Sequence, residues 1–146
     1  MPMFILFVSF FPAASYGGEE YLKQGIADYR DESFEEAIDN LSKARALDTS
    51  SFDAAYWLGM SYLKIEDFKA AKQHLADGVR LSPDNIAARL SYAEALYRLG
   101  EFDGSASELA VIEAAEGQRT GEFYFLKGLV LSKAGKNNES IEAFKK

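Results

Sequence analysis

Apolar and small residues recur along most of this chain at an interval of 34 positions, and inside each interval they fall at helical spacing. Phe34, Phe68 and Phe102 mark the interval; Gly25, Gly59 and Ala93 keep it, as do Leu41, Leu75 and Leu109, and Leu47 with Leu81. Within one interval Trp57, Leu58, Gly59, Tyr62 and Leu63 form an i, i+3, i+4 stripe, followed by a second from Phe68, Ala71, Leu75, Gly78, Val79 and Leu81. Glu66–Asp67 separates the two. Ser82–Pro83–Asp84–Asn85 stops the second, because a residue before proline is biased away from helical angles. The pattern predicts one helical hairpin written several times and stacked so that each copy buries the face its neighbour exposes. The units run 18–51, 52–85, 86–119 and 121–146.

The expected fold is all-α: a right-handed superhelix, or α-solenoid, of helix-turn-helix repeats with three full 34-residue units and a truncated fourth. Small residues at 25, 59, 93 and 128 mark the place where the two helices of a hairpin touch, with Ala37, Ala71, Ser105 and Ser140 opposite. The three phenylalanines are expected to be equivalently buried. Ser33 and Glu36 have capping-box spacing at the start of a second helix. Gly104, Ser105 and Ser107 weaken the second helix of unit three, since glycine inside a helix costs about 1 kcal/mol relative to alanine. The spacing lengthens to 35 between Ala93 and Gly128, which places a looser junction in Glu116–Gly121.

Composition narrows the function. A net charge of −7 argues against nucleic acid, whose phosphates demand a basic footprint. With no cysteine and one histidine, His74, there are no thiolate metal sites and no histidine pair. No glycine-rich phosphate loop or Gly-x-Ser-x-Gly elbow is present, and no cofactor is expected. Glu19–Glu20 and Glu35–Glu36 read as solvated helix faces, and His74 as an exposed helix histidine. The sequons at Asn40 and Asn138 fall in helices and read as chance. Met3–Phe11 is too short to span a bilayer, which needs about 20 apolar residues. It has the length of a signal-peptide core followed by small residues, with cleavage at Ser15 or Gly17, although no Lys or Arg precedes it. Residues 1–17 are therefore expected to be a leader, the product periplasmic or secreted, with no membrane span after processing. An apolar helix docked on the first repeat is the alternative.

The units resemble tetratricopeptide repeats, of a bacterial exported type. Unit 52–85 carries Trp57 (two places from its usual site), Leu58, Gly59, Tyr62, Ala71, Gly78 and Pro83. Unit 18–51 carries Tyr21, Gly25, Phe34, Ala37, Leu41, Ala44 and Leu47; unit 86–119 carries Ala93, Gly100, Phe102, Leu109 and Ile112. The resemblance covers residues 18–146 and implies a concave groove lined by the first helices. In that groove it places Leu22, Ile26, Tyr29 and Arg30, with Glu19, from unit one. Unit two adds Tyr56, Met60, Leu63 and Lys64, with Asp53; unit three adds Leu90, Glu94, Tyr97 and Arg98, with Ala87. Phe125 and Lys133, with Glu122, Leu129 and Ser132, complete it from unit four. Arg30, Lys64, Arg98 and Lys133 form a basic column beside an aromatic and aliphatic ladder. Members that clamp chaperone tails use lysine and asparagine where this chain has Leu22, Ile26, Trp57, Ala87 and Ser91, so that role is disfavoured.

The implied function is a non-catalytic scaffold that binds a peptide or helix of a protein partner in the groove. Two alternatives stand beside it. The repeats could serve a larger envelope-assembly factor or enzyme whose working domain lies beyond Lys146. They could also self-associate through the C-terminal edge of unit four.

Overall fold

The computed structural model describes residues 14–115 and 119–146. Eight helices follow one another, with no strand among the described residues: α1 Ala14–Arg30, α2 Phe34–Leu47, α3 Phe52–Lys64, α4 Phe68–Leu81, α5 Ile86–Arg98, α6 Phe102–Ala114, α7 Gly121–Lys133 and α8 Asn137–Phe144. They pair as four antiparallel hairpins and stack into an all-α repeat superhelix. α1 also touches α3, α3 touches α5, and α5 touches α7, so the first helices share one face of the stack. Most of the expected leader lies outside the described residues, as do three positions of the Glu116–Gly121 junction; Ala14–Gly17 form the first turn of α1.

Every hairpin turns in the same way. Glu32, Glu66, Gly100 and Gly135 hold the left-handed conformation (φ 61°, 62°, 79° and 75°) at equivalent places. The amide of the next residue then reaches back into the finished helix: Ser33 to the Asp28 carbonyl, Asp67 to Tyr62, Glu101 to Leu96 and Lys136 to Leu131. This is the Schellman closure, which satisfies carbonyls that a helix end leaves orphaned. Glycine takes the position freely in the last two turns. The two glutamates occupy it at a steric cost of about 1–2 kcal/mol. Helix starts vary more. Ser51, Asp67, Asn85 and Thr120 accept side-chain caps from Ala54, Ala70, Ala88 and Phe123. Ser33 makes no such bond, so the expected capping box does not form; the amide and carbonyl of Ser33 are already used in the turn and the first helical bond.

Leucine and alanine form the core. Leu41, Leu75 and Leu109 are buried, and a Cβ added at Gly25 or Gly59 would come within 2.6 Å of Leu41 or Leu75. Ala37 and Ala71 are buried as well. At their equivalent places Ser105 and Ser140 donate their hydroxyls to the carbonyls of Ala93 and Gly128, each at 2.8 Å. Ser105 is therefore a satisfied buried contact, contrary to its reading as a weak point. The three phenylalanines are equivalent yet only half-buried. Each opens a second helix, so its ring covers the mouth of the hairpin: Phe34 meets Tyr29 edge-on at 5.5 Å and Phe102 meets Tyr97 at 5.5 Å.

Candidate functional site

On the shared face of the first helices, α3, α5 and α7 enclose a recess of about 520 Å³. Tyr56, Met60 and Lys64 line it from α3, at four-residue intervals on one helix face. Leu90, Glu94, Tyr97 and Arg98 line it from α5 with Ala87 and Ser91; Phe125 and Leu129 line it from α7 with Glu122 and Leu126. Tyr56 also packs against the cluster of Ala71, Leu75 and Ala95, and Leu90 and Tyr97 pack against that of Ala93, Leu109 and Phe123, so the same first-helix side chains floor the recess and seal the core.

Eleven of the twenty sequence-predicted groove residues meet there: Tyr56, Met60, Lys64, Ala87, Leu90, Glu94, Tyr97, Arg98, Glu122, Phe125 and Leu129. Nine do not line it, Glu19, Asp53 and Ser132 among them. Leu22, Ile26 and Tyr29 pack against the buried cluster of Ala37, Leu41 and Leu58, where they join the first hairpin to the second. Leu63 packs beside Ala71, Leu75 and Ala95. Arg30 is exposed at the end of α1, and Lys133 stands over the Phe102 ring at 6.0 Å.

Aromatic contacts stiffen the α1–α3 side. Tyr29 lies 5.0 Å from Trp57, Trp57 lies 5.3 Å from Tyr56, and Tyr56 stacks on Phe52 at 5.7 Å. Such pairs add about 0.5–1.5 kcal/mol each beyond their burial. The Tyr29 hydroxyl is pushed above its ordinary pKa by burial, with Tyr56 and Glu94 adding to the effect.

The basic column is partly engaged within the chain. Arg98 lies 4.6 Å over the Phe68 ring and 3.5 Å from the Glu66 carboxylate, as Lys133 lies over Phe102. The cation at the end of one first helix thus covers the phenylalanine of the preceding hairpin. Lys64 has no carboxylate within ion-pair distance among the described residues. The lining itself is balanced, with Lys64 and Arg98 against Glu94 and Glu122. His74 also departs from expectation. It is half-buried, stacked on Tyr62 at 5.5 Å, with Nδ1 buried and unpartnered among the described residues.

Family profiles described as tetratricopeptide repeat match residues 22–71, 66–127 and 121–146. The chain is a tetratricopeptide-repeat protein. The array is similar to a crystal structure of MamA, at 26% identity and a TM-score of 0.78, over 88% of this chain and 74% of that one. It also superposes on residues 41 to the end of MamA from Desulfovibrio magneticus RS-1, at 21% identity and a TM-score of 0.77, over 90% and 73% of the two chains. No curated protein matches it. Tetratricopeptide arrays are protein-interaction scaffolds in general, and this chain has that architecture. No helix of the described residues is long and apolar enough to cross a membrane.

Proposed function

We propose that this array is a non-catalytic scaffold, exported across the inner membrane, that holds a peptide or helix of a protein partner in the recess between α3, α5 and α7. One observation carries the reading: Met60, Leu90, Tyr97 and Phe125 come from three helices to line one concave surface, where apolar area is costly to leave in water. Since Lys64 and Arg98 share that lining with Glu94 and Glu122, the partner segment is apolar with charges of both signs at its flanks. Arg98 is a poor anchor, being held by Phe68 and Glu66, so Lys64 and the apolar residues form the centre of the site.

Support for export comes from the outer side of α1. The stripe through which α3 packs on its predecessor is Ala54, Trp57 and Leu58; the same places in α1 are Glu20, Lys23 and Gln24, all exposed. A polar stripe is a poor seat for an apolar N-terminal helix, which favours a leader removed at Ser15 or Gly17 over a docked extra helix.

One preparation tests both parts. The chain expressed from Met1 should yield a periplasmic product whose mass begins after Ser15 or Gly17. That product, immobilised, should recover partners from the envelope fraction which a Met60→Glu/Lys64→Glu variant does not, a loss of roughly 2 kcal/mol or more at a hot spot. An intact Met1 would overturn the export reading. Equal recovery by wild type and variant would overturn the groove.

A further inference from the structure

Three charged side chains in the recess between α3, α5 and α7 have no ion-pair partner among the described residues: Lys64, Glu94 and Glu122. Arg98, the other charge in the lining, is held by Glu66 and Phe68. Lys64 is the last residue of α3, Glu94 stands one turn before the end of α5, and Glu122 is the second residue of α7. Successive first helices lie side by side and run in the same direction. The three charges therefore fall on a diagonal across the recess, with the cation at one end and the carboxylates along the rest. At about 1.5 Å of rise per residue and about 8–10 Å between neighbouring helices, the diagonal is roughly 20–25 Å long.

Comparison with the equivalent places in the other hairpins sets these charges apart. Where α5 has Glu94, the other first helices have Ile26, Met60 and Leu129, so a carboxylate stands where the repeat otherwise puts an apolar side chain. Lys64 and Glu122 suit the helix ends they occupy, whereas Glu94, inside its helix, gains nothing of that kind. The places equivalent to Glu122 hold Glu19, Asp53 and Ala87, all exposed although another hairpin follows each. The exposure of Glu122 thus belongs to its position on the helix. In the same lining the hydroxyls of Tyr56 and Tyr97 make no hydrogen bond among the described residues. An extended backbone has amides and carbonyls to offer them, while a helical one has spent its own.

We propose that the recess takes an extended segment of another protein whose charges are sorted by end. A carboxylate lies over Lys64, apolar side chains enter among Met60, Leu90, Tyr97 and Leu129, and basic side chains lie over Glu94 and Glu122. At about 3.3 Å per residue, about seven or eight residues span the diagonal. The inference rests on the groove being the binding site and adds the order of charge along the partner.

The test uses the whole chain and fluorescein-labelled peptides of about nine residues, read by anisotropy. The sorted peptide has aspartate at one end, leucine and phenylalanine at alternate places, and two lysines at the other end. A control of the same composition sets the aspartate between the lysines. The sorted peptide should bind at least about tenfold tighter than the control, by a margin that narrows as salt rises. Lys64→Glu should weaken the sorted peptide at least about fivefold. A peptide with lysine in place of the aspartate should recover that loss on Lys64→Glu, but not the loss on Glu94→Lys/Glu122→Lys. Glutamates in place of the two lysines should do the reverse. All three positions are exposed, and unchanged helical circular dichroism checks the fold. Met60→Asn, which makes the floor polar without adding charge, should weaken the sorted peptide at least about fivefold. If Met60→Asn weakens binding while charge order and the swaps make no difference, the sorting is overturned and the groove stands. Absence of binding by any of the peptides would also overturn the sorting. Binding that ignores Met60→Asn would lie outside the groove and overturn both.

Discussion

In the second hairpin Leu75 lies beneath Gly59 and is sealed by Ala95 and Tyr92 of α5. In the fourth, Phe144 lies beneath Gly128 at the same register, and its outer side meets solvent. The hairpins share a local plan, so the difference between them comes from stacking. In a repeat array each unit is stabilised by its own contacts and by those of its neighbours, and among the described residues the fourth hairpin meets one neighbour only. Core and surface are assigned here by position in the array as much as by residue type. Ion pairs bridge both junctions alike. Arg45 meets Asp77 at 2.9 Å between the first two hairpins, and burial of Asp77 is outweighed by hydrogen bonds from Arg80 and Arg45 that hold its carboxyl below the usual range. At the last junction Lys127 meets Glu113 at 2.6 Å, which lowers the Glu113 pKa in the same sense.

The sharpest way to break the comparison is to truncate the equivalent side chains. Leu75→Ala removes a fully buried leucine between two hairpins and should cost about 3–4 kcal/mol by chemical denaturation. Phe144→Ala removes a larger side chain that is half in water, and should cost about 1–2 kcal/mol. Equal losses would mean that the end hairpin is as tightly integrated as the inner ones.

Much of this was legible in the sequence, for identifiable reasons. A period of 34 with small residues opposite leucines defines a hairpin and its stacking, because only that arrangement lets Gly25 and Gly59 meet Leu41 and Leu75 so closely. The phenylalanines were misread as core because periodicity reports equivalence and says nothing of depth. Only the three-dimensional stack shows that the first residue of each second helix lies at the hairpin mouth. The groove was legible for α3, α5 and α7. It was not for α1, whose Leu22, Ile26 and Tyr29 are drawn into the interface with α3. The engagement of Arg98 by Phe68 follows from contact between successive hairpins, which the repeat pattern alone does not display.

A smaller effect should separate the same two hairpins at their closest approach. Added at Gly59, a Cβ would come 2.6 Å from Leu75 Cγ and 3.1 Å from the Leu75 backbone nitrogen. Neither can move without shifting α4, so Gly59→Ala should destabilise by about 1–3 kcal/mol. At Gly128 the obstacle is the edge of the half-exposed Phe144 ring, which can swing outward. Gly128→Ala should therefore be close to neutral, with the helix-propensity gain of about 1 kcal/mol offsetting the displaced ring. Thermal unfolding of the two variants side by side decides it. A destabilisation at Gly128 as large as at Gly59 would show that α8 is held as firmly as α4.

The smallest expected effect concerns pH and the second hairpin alone. Burial lowers the His74 pKa below its ordinary 6.5; Asp77 opposes the shift, and Arg45 adds to it. Tyr62 stacks on the ring and the buried Nδ1 has no acceptor among the described residues, so the folded hairpin favours neutral imidazole. A group whose folded pKa is depressed takes up its proton more readily in the unfolded chain. Its contribution is therefore present above about pH 6.5 and is lost as pH falls through the folded value. The first hairpin has Asn40, whose amide carries no ionisable group, at the same place, hydrogen-bonded to Asp28 at 2.8 Å. His74→Asn should consequently flatten the decline in stability between pH 7 and pH 5, while the carboxylate-driven losses at lower pH remain. Parallel pH profiles for wild type and variant would show that water reaches Nδ1 and that this hairpin is no more sensitive to acid than its neighbours.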